Sequence, residues 1–323
     1  MQSTRVFLQS LGLPPGDLYD LPASPKRFPD GAQYRVEIPS VEGPRALAAV
    51  LEEAEARRVR VHRISQGSGI MLLTDGEIGD MARLGAEARV EVSLFVGPRA
   101  AWETGAQVLS PAGRNLGARH RGMEQLVYAI EDVRRACSLG IRSVLVADEG
   151  LLWAVNEMKK AGQLPADLVI KVSVQMGAAN PASIRLQEGL GASTYNVPTD
   201  LDLSKLAAVR AAVDIPLDIY VEVPDNFGGF VRHYEIAELV RVVAPVYVKF
   251  GLRNAPDVYP SGTHLEGTVI ALSRERVRRA EIGLAHLWRY YPDAVTSELG
   301  AAGLGIPQPL NPRIPAKRKG MPS

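Results

Sequence analysis

The sequence predicts a closed (β/α)8 barrel, and three observations carry that reading. From Tyr34 onward, apolar runs of strand length alternate with helix-period segments eight times, at a spacing of roughly 30 residues that suits such a barrel. In the clearest strands the apolar residues recur at every second position with polar residues between them. An apolar set packed outward on helices leaves the polar set pointing into the barrel. Finally, the turn after the first strand, Pro39-Ser-Val-Glu-Gly43, lacks the G-x-G-x-x-G fingerprint that an open dinucleotide-binding sheet would need.

Taken in order, residues 1–32 read as a proline-punctuated extension, residues 33–292 as the barrel, and residues 293–323 as a C-terminal extension whose proline-rich end, Ile306–Ser323, lacks the apolar content to fold and finishes in a flexible basic tail at Lys317–Lys319. The predicted strands are Tyr34–Pro39, Val59–Gln66, Val90–Gly97, Ser143–Asp148, Leu168–Gln175, Ser193–Val197, Leu217–Val223 and Val246–Leu252. The helix after the first strand carries Leu47, Val50, Leu51 and Ala54 at helical spacing, and the helix after the fifth opens on Asn180-Pro181, where proline suits a first turn. The connection 98–122 is long and rich in Gly, Pro and Ser. Its Arg114, Arg119 and Arg121 would suit a lid closing on an anion, and a solvated basic loop reads equally well.

Composition narrows the function. A chain of 323 residues with 46% hydrophobic and 23% charged content is long enough for one large core. Net charge of +1 leaves no global footprint for nucleic acid or membrane. The single cysteine, Cys137, rules out an intramolecular disulfide or a cysteine-only metal or iron–sulfur site within one chain, and as a lone helical cysteine it reads as core filler. No apolar run is long enough to span a membrane, and a cytosolic location is the default expectation.

Two successive strands hold the strongest chemical signal. Leu217–Val223 places Asp218, Tyr220 and Glu222 on the polar parity, and Val246–Leu252 places Tyr247 and Lys249 there. At the carboxyl end of a barrel, where chemistry is normally found, Glu222 and Lys249 would then be neighbours within ion-pair range. Together with Tyr220 and Glu149 they form the expected catalytic set. Glu37, Gln66, Ser173, Gln175 and Asn196 at other strand ends, Arg114, Arg119 and Arg121 in the lid, and Arg253, Asn254 and His264 in the last loop are the expected substrate-binding groups. Lys249 has two open roles: a charged ammonium beside a developing oxyanion with Glu222 as general base, or a neutral amine forming an imine. A structural ion pair is the plain alternative. A divalent metal, if one is bound, would be held by Glu37, Glu149, Glu222 and His264. Gly228-Gly229 would let backbone N–H groups approach a phosphate, or merely form a turn. No G-x-S-x-G elbow, H-E-x-x-H helix or Walker loop is present.

The stretches Leu217-Asp-Ile-Tyr-Val-Glu-Val-Pro-Asp-Asn-Phe-Gly-Gly-Phe230 and Val246-Tyr-Val-Lys-Phe-Gly-Leu-Arg-Asn-Ala-Pro256 resemble actinobacterial-type members of the collagenase-like peptidase family of unassigned mechanism, family U32, over about residues 34–290. The resemblance implies a barrel and a nominal hydrolase label. Better-understood relatives carry a cysteine-rich signature, and some hold an iron–sulfur cluster and assist hydroxylation of RNA or ring substrates. This chain lacks those cysteines, so no cluster is expected. The reading that follows is a barrel enzyme performing acid/base or imine chemistry on a small anionic metabolite. A metal-dependent isomerase or hydrolase, and a non-enzymatic or RNA-modification partner, are its alternatives.

Overall fold

The computed structural model describes residues 1–99 and 106–309. Its strands are β1 (Tyr34–Pro39), β2 (Arg63–Gln66), β3 (Glu91–Phe95), β4 (Ser143–Val146), β5 (Val169–Val172), β6 (Thr194–Asn196), β7 (Leu217–Glu222) and β8 (Val246–Phe250). They pair in sequence order into a closed barrel, and β8 returns parallel to β1. The helices are α1 (Gln2–Ser10), α2 (Pro44–Arg57), α3 (Asp75–Ala88), α4 (Ala106–Leu109), α5 (Gly122–Ser138), α6 (Glu149–Lys160), α7 (Pro181–Gly189), α8 (Leu203–Ala212), α9 (Ile236–Val243) and α10 (Glu266–Tyr290). The chain is thus a TIM barrel, as the alternation predicts.

Local chemistry explains the helix starts. Thr74 and Glu77 form a capping box on α3, Asn180 caps α7 ahead of Pro181, and Asp148 and Asp202 accept backbone N–H groups at the heads of α6 and α8. The barrel wall follows from parity. Val36, Ile38, Ile64, Val92, Ile170 and Val248 face outward into one apolar layer with Leu47, Val50, Ile78 and Met81 of the surrounding helices. Cys137 belongs to the same layer, and burial pushes its thiol up to about 11, which leaves it a small apolar filler.

Two expectations are corrected by the structure. Within the segment 98–122, residues 106–109 form α4 and Pro111–Leu116 a 3₁₀ turn, so the connection is partly helical; residues 100–105 lie outside the described residues. Residues 293–309 lie across the amino-terminal end of the barrel. Ser297 Oγ accepts from Arg35 Nε at 2.8 Å, Gly305 N donates to Glu91 Oε2 at 3.1 Å, and Gln308 N donates to Gly140 O at 2.7 Å. Residues 306–309, read from sequence as part of the unstructured end, are therefore packed. Lys317–Lys319 lie outside the described residues. The N-terminal extension seals the same end, with Phe28 and Ala32 packed on Tyr247.

His62 ties β1 to this plug. Its Nδ1 accepts from Val36 N at 3.0 Å and its Nε2 donates to Ser297 O at 2.8 Å, which requires a neutral ring. Burial is the main cause that lowers its pKa from 6.5 to about 4. Between those values the unfolded chain binds a proton that the folded one does not, so stability is present above 6.5 and is lost as pH falls toward 4. The melting temperature should therefore fall over that window, and the fall should be shallower in His62→Gln. Parallel melting curves for the two proteins would contradict this assignment.

Candidate active site

The lumen of the barrel is filled with charge. Arg63 on β2 reaches Glu91 Oε1 at 2.7 Å, Glu37 Oε2 at 3.2 Å and Asp218 Oδ2 at 3.2 Å, and its guanidinium stacks 3.6 Å from the Tyr247 ring centroid. Lys171 on β5 pairs with Glu37 and lies 3.6 Å from Asp218 Oδ2. Glu37 Oε1 also takes Ser65 Oγ at 2.8 Å and Lys249 Nζ at 3.3 Å. Each of these charged side chains is almost fully buried. Burial works to raise the Glu37 pKa, but Lys171, Lys249 and Arg63 outweigh it and hold the carboxyl well below the usual range. Burial prevails at Asp218, whose pKa is raised, and at Lys171, which falls to about 8.

Above this network, at the carboxyl ends of the strands, lies a cavity of about 170 Å³. Lys249 forms part of its floor beside Ser65, Ser173, Asn196 and Tyr220. The ammonium stands 4.2 Å from the centroid of the Tyr220 ring. With the amide turned to suit its neighbours, Asn196 accepts from Lys249 Nζ at 2.7 Å and donates to Asp218 O at 3.1 Å. Phe95, Leu145, Val174 and Phe227 supply apolar walls, and Arg99, Asp257 and Tyr259 close the rim. Arg99 donates to Gly67 O and stacks 3.8 Å from the Phe95 centroid, and burial lowers its pKa to about 10. The Tyr259 hydroxyl bonds to Ser40 Oγ, and burial raises the pKa of the phenols of both Tyr259 and Tyr220, which keeps them protonated. Ser40 itself has φ of 59°, a strained left-handed conformation at the mouth.

The expected catalytic pair is not formed. A bulge between Tyr220 and Glu222 shifts the register, so that Glu222 aligns with Phe250, whose side chain faces the helices. Glu222 is thereby turned out of the lumen. Its Oε1 accepts from Arg253 N at 3.0 Å, and its Oε2 lies 3.6 Å from His233 Nε2 and 3.5 Å from Arg279 Nη1. Lys249 takes Glu37 as its carboxylate partner instead. Gln66 reaches the cavity by another route than parity: it shares the parity of Leu94, with Ser65 the inward residue of β2, yet at the end of the strand it lines the cavity with its amide bonded to Gly69.

The remaining sequence candidates divide by position. Tyr220, Lys249, Gln66, Ser173, Gln175 and Asn196 line the cavity, and Glu37 lies directly beneath it. Glu149 opens α6 and pairs with Arg119, which also reaches Met176, so neither forms part of the cavity lining. Arg121 is exposed, with its N–H on Gln125, and the side chain of Arg114 lies outside the described residues. Arg253 pairs with Asp225 at 3.6 Å, Asn254 N donates to Asp225 Oδ2 at 2.5 Å, and His264 is exposed. The metal set Glu37, Glu149, Glu222 and His264 is therefore not brought together; among the described residues no group of three His, Cys, Asp or Glu is placed to hold an ion. Gly228 and Gly229 form a turn in which an added Cβ at Gly229 would strike the Asp225 carboxylate. Sequence reasoning missed Asp257, Asn226 and Tyr259, which belong to loops without periodicity, and overlooked Arg63, although it shares inward parity with Ser65.

Gly67 is required by a close approach. A Cβ there would lie 2.4 Å from Tyr259 Cε1. Gly67→Ala should push the Tyr259 ring off Ser40 and cost about 1–3 kcal/mol by overpacking, read as a lower urea midpoint. A wild-type midpoint would show that the rim is not built on this contact.

Comparisons with known proteins agree with the fold. Residues 115–223 match the model of peptidase family U32. A solved structure named as a fructose-1,6-biphosphate aldolase from Coccidioides immitis is 15% identical, with TM-score 0.50, covering 80% of this chain and 92% of that one, a likeness of fold alone. The U32 peptidase Mk0906 is 19% identical with TM-score 0.40, covering 62% of this chain and 73% of its own. A solved structure named as a lyase/mutase from Burkholderia cenocepacia J2315 is 15% identical with TM-score 0.42, covering 71% of this chain and 77% of that one. No curated protein matches. The sequence likeness to peptidase family U32 lies in residues 115–223, which run from the connection after β3 to the end of β7.

Proposed function

We propose that this chain is an enzyme acting on a small anionic carbonyl metabolite, which binds in the cavity at the carboxyl end of the barrel with its oxygen on the Lys249 ammonium. The observation that carries the reading is the setting of Lys249. A carboxylate, an amide oxygen and an aromatic face surround its Nζ, and each is a partner that an ammonium group makes use of. A charged lysine held on fixed partners at the floor of a cavity is arranged to stabilise negative charge as it builds on a carbonyl oxygen. This favours the electrostatic role over the imine.

The size of the cavity favours a small substrate, since about 170 Å³ is below the roughly 300 Å³ at which drug-sized pockets begin. Its polar floor and apolar walls fit a molecule with one anionic end and a short carbon body. Tyr220 and Tyr259, held protonated, are proton donors rather than bases. Asp257 is the carboxylate of the rim, and in this reading it replaces Glu222 as the acceptor of a substrate proton.

A thermal-shift panel of short keto acids, hydroxy acids and inorganic phosphate tests the proposal. At least one keto acid should raise the melting temperature of the wild type, because binding to the native state stabilises it. That shift should vanish in Lys249→Met and persist in Glu222→Gln, whose side chain faces away from the cavity. Borohydride with the same keto acid should leave no adduct mass. Equal shifts in wild type and Lys249→Met would overturn the assignment, and a reduced adduct on Lys249 would restore the imine.

A further inference from the structure

We propose that Lys171, which forms no part of the cavity lining, is a positioning residue for the cavity: through the shared Glu37 carboxylate it sets how firmly Lys249 is held and how readily its amine gives up a proton. The inference rests on the proposed role of Lys249, and deepens it. Its basis is one oxygen with competing partners. Glu37 Oε1 receives Lys171 Nζ, Lys249 Nζ at 3.3 Å and Ser65 Oγ at 2.8 Å, while Oε2 receives Arg63 Nη1 at 3.2 Å. Two lysines from β5 and β8 thus draw on a single carboxylate from β1. Whatever one takes, the other loses.

The charged groups around Lys171 come from every side of the lumen. Glu37 faces it from β1, Arg63 from β2, Asp218 from β7 at 3.6 Å, and Lys249 from β8, while Glu91 on β3 is held by Arg63. Lys171 and Lys249 repel each other through a medium with little water, and both are attracted to Glu37. Burial is the main cause that lowers the Lys171 pKa to about 8, and the positive charge of Lys249 adds to the effect. Such coupling is reciprocal: a positive Lys171 makes the Lys249 ammonium easier to deprotonate and easier to draw away from Glu37 toward a ligand.

Amine labelling reads this without any substrate. Formaldehyde with cyanoborohydride is small enough for the cavity, and peptide mass spectrometry gives the pH dependence of methylation at Lys249, with the exposed Lys160 as internal reference. Removing the competing cation in Lys171→Met should move the Lys249 curve to higher pH by about one unit, a tenfold loss of reactivity at fixed pH. Removing the carboxylate in Glu37→Gln should move it the opposite way. Lys171→Arg, which keeps the charge, should leave it near the wild-type position. A merely structural Lys171 would lower the melting temperature of Lys171→Met and leave the Lys249 curve in place, and that result overturns the inference. Should Lys171→Met not fold, Lys249→Met serves in its place, since reciprocity then requires the labelling curve of Lys171 to rise, and an unmoved curve is equally fatal. The two readings fail separately. Coupled curves with no anion bound would sink only the substrate proposal, and Lys249-dependent anion binding with uncoupled curves would sink only this one.

Discussion

The structure depends on the neutralisation of charge inside the barrel. Arg63, Lys171 and Lys249 face Glu37, Glu91 and Asp218 in a space closed to solvent, three cations against three carboxylates. Ion pairs of this kind gain little over an apolar filling, yet losing one partner strands a buried charge at a cost of roughly 3–5 kcal/mol. The network therefore constrains its own members strongly while contributing little net stability. The apolar layer between strands and helices carries the fold, and the lumen carries specific geometry.

That division explains what was legible in the sequence. The wall of the barrel repeats a period of two in eight places, so strand positions and the closed architecture could be read from Val36, Ile64, Val92 and their equivalents. The lumen gave only half its content to the same rule. Parity identifies Asp218, Tyr220 and Lys249 as inward, but which carboxylate meets which cation depends on how far each side chain reaches across the barrel. Lys249 meets Glu37 on one neighbouring strand rather than Glu222 on the other. Gln66 shows the limit in miniature: its parity is that of the outward Leu94, and it lines the cavity because it stands at the end of β2, beside the inward Ser65.

Glu222 shows the other limit. Parity counts correctly only while the strand stays regular, and the bulge after Tyr220 adds a residue that the alternation does not announce. Nearby chain explains why the bulge is tolerated: Gly251 has no Cβ, and one placed there would lie 2.6 Å from Pro224 Cδ and 2.7 Å from Glu222 O. The turned-out carboxylate then takes Arg253 N, and Asp225 takes Asn254 N, which together fix the start of the loop leading to Asp257 and Tyr259. Glu222 contributes to the cavity from behind, by holding the loop that closes its rim. The loop residues themselves have no periodicity, and nothing in the sequence marks them as neighbours of Lys249.

Lys249 belongs at once to the closed network and to the cavity floor, and this dual membership gives the proposed chemistry its physical form. A ligand anion arriving in the cavity competes with Glu37 for the same ammonium. Glu37 can yield, because Lys171, Arg63 and Ser65 remain on it and no stranded carboxylate results. An isolated lysine–glutamate pair could not make that exchange, since a ligand could take the ammonium only by leaving the buried glutamate without a counter-charge. The surplus of cations around one carboxylate therefore has a function that a simple count of ion pairs does not reveal: it makes the uppermost lysine transferable.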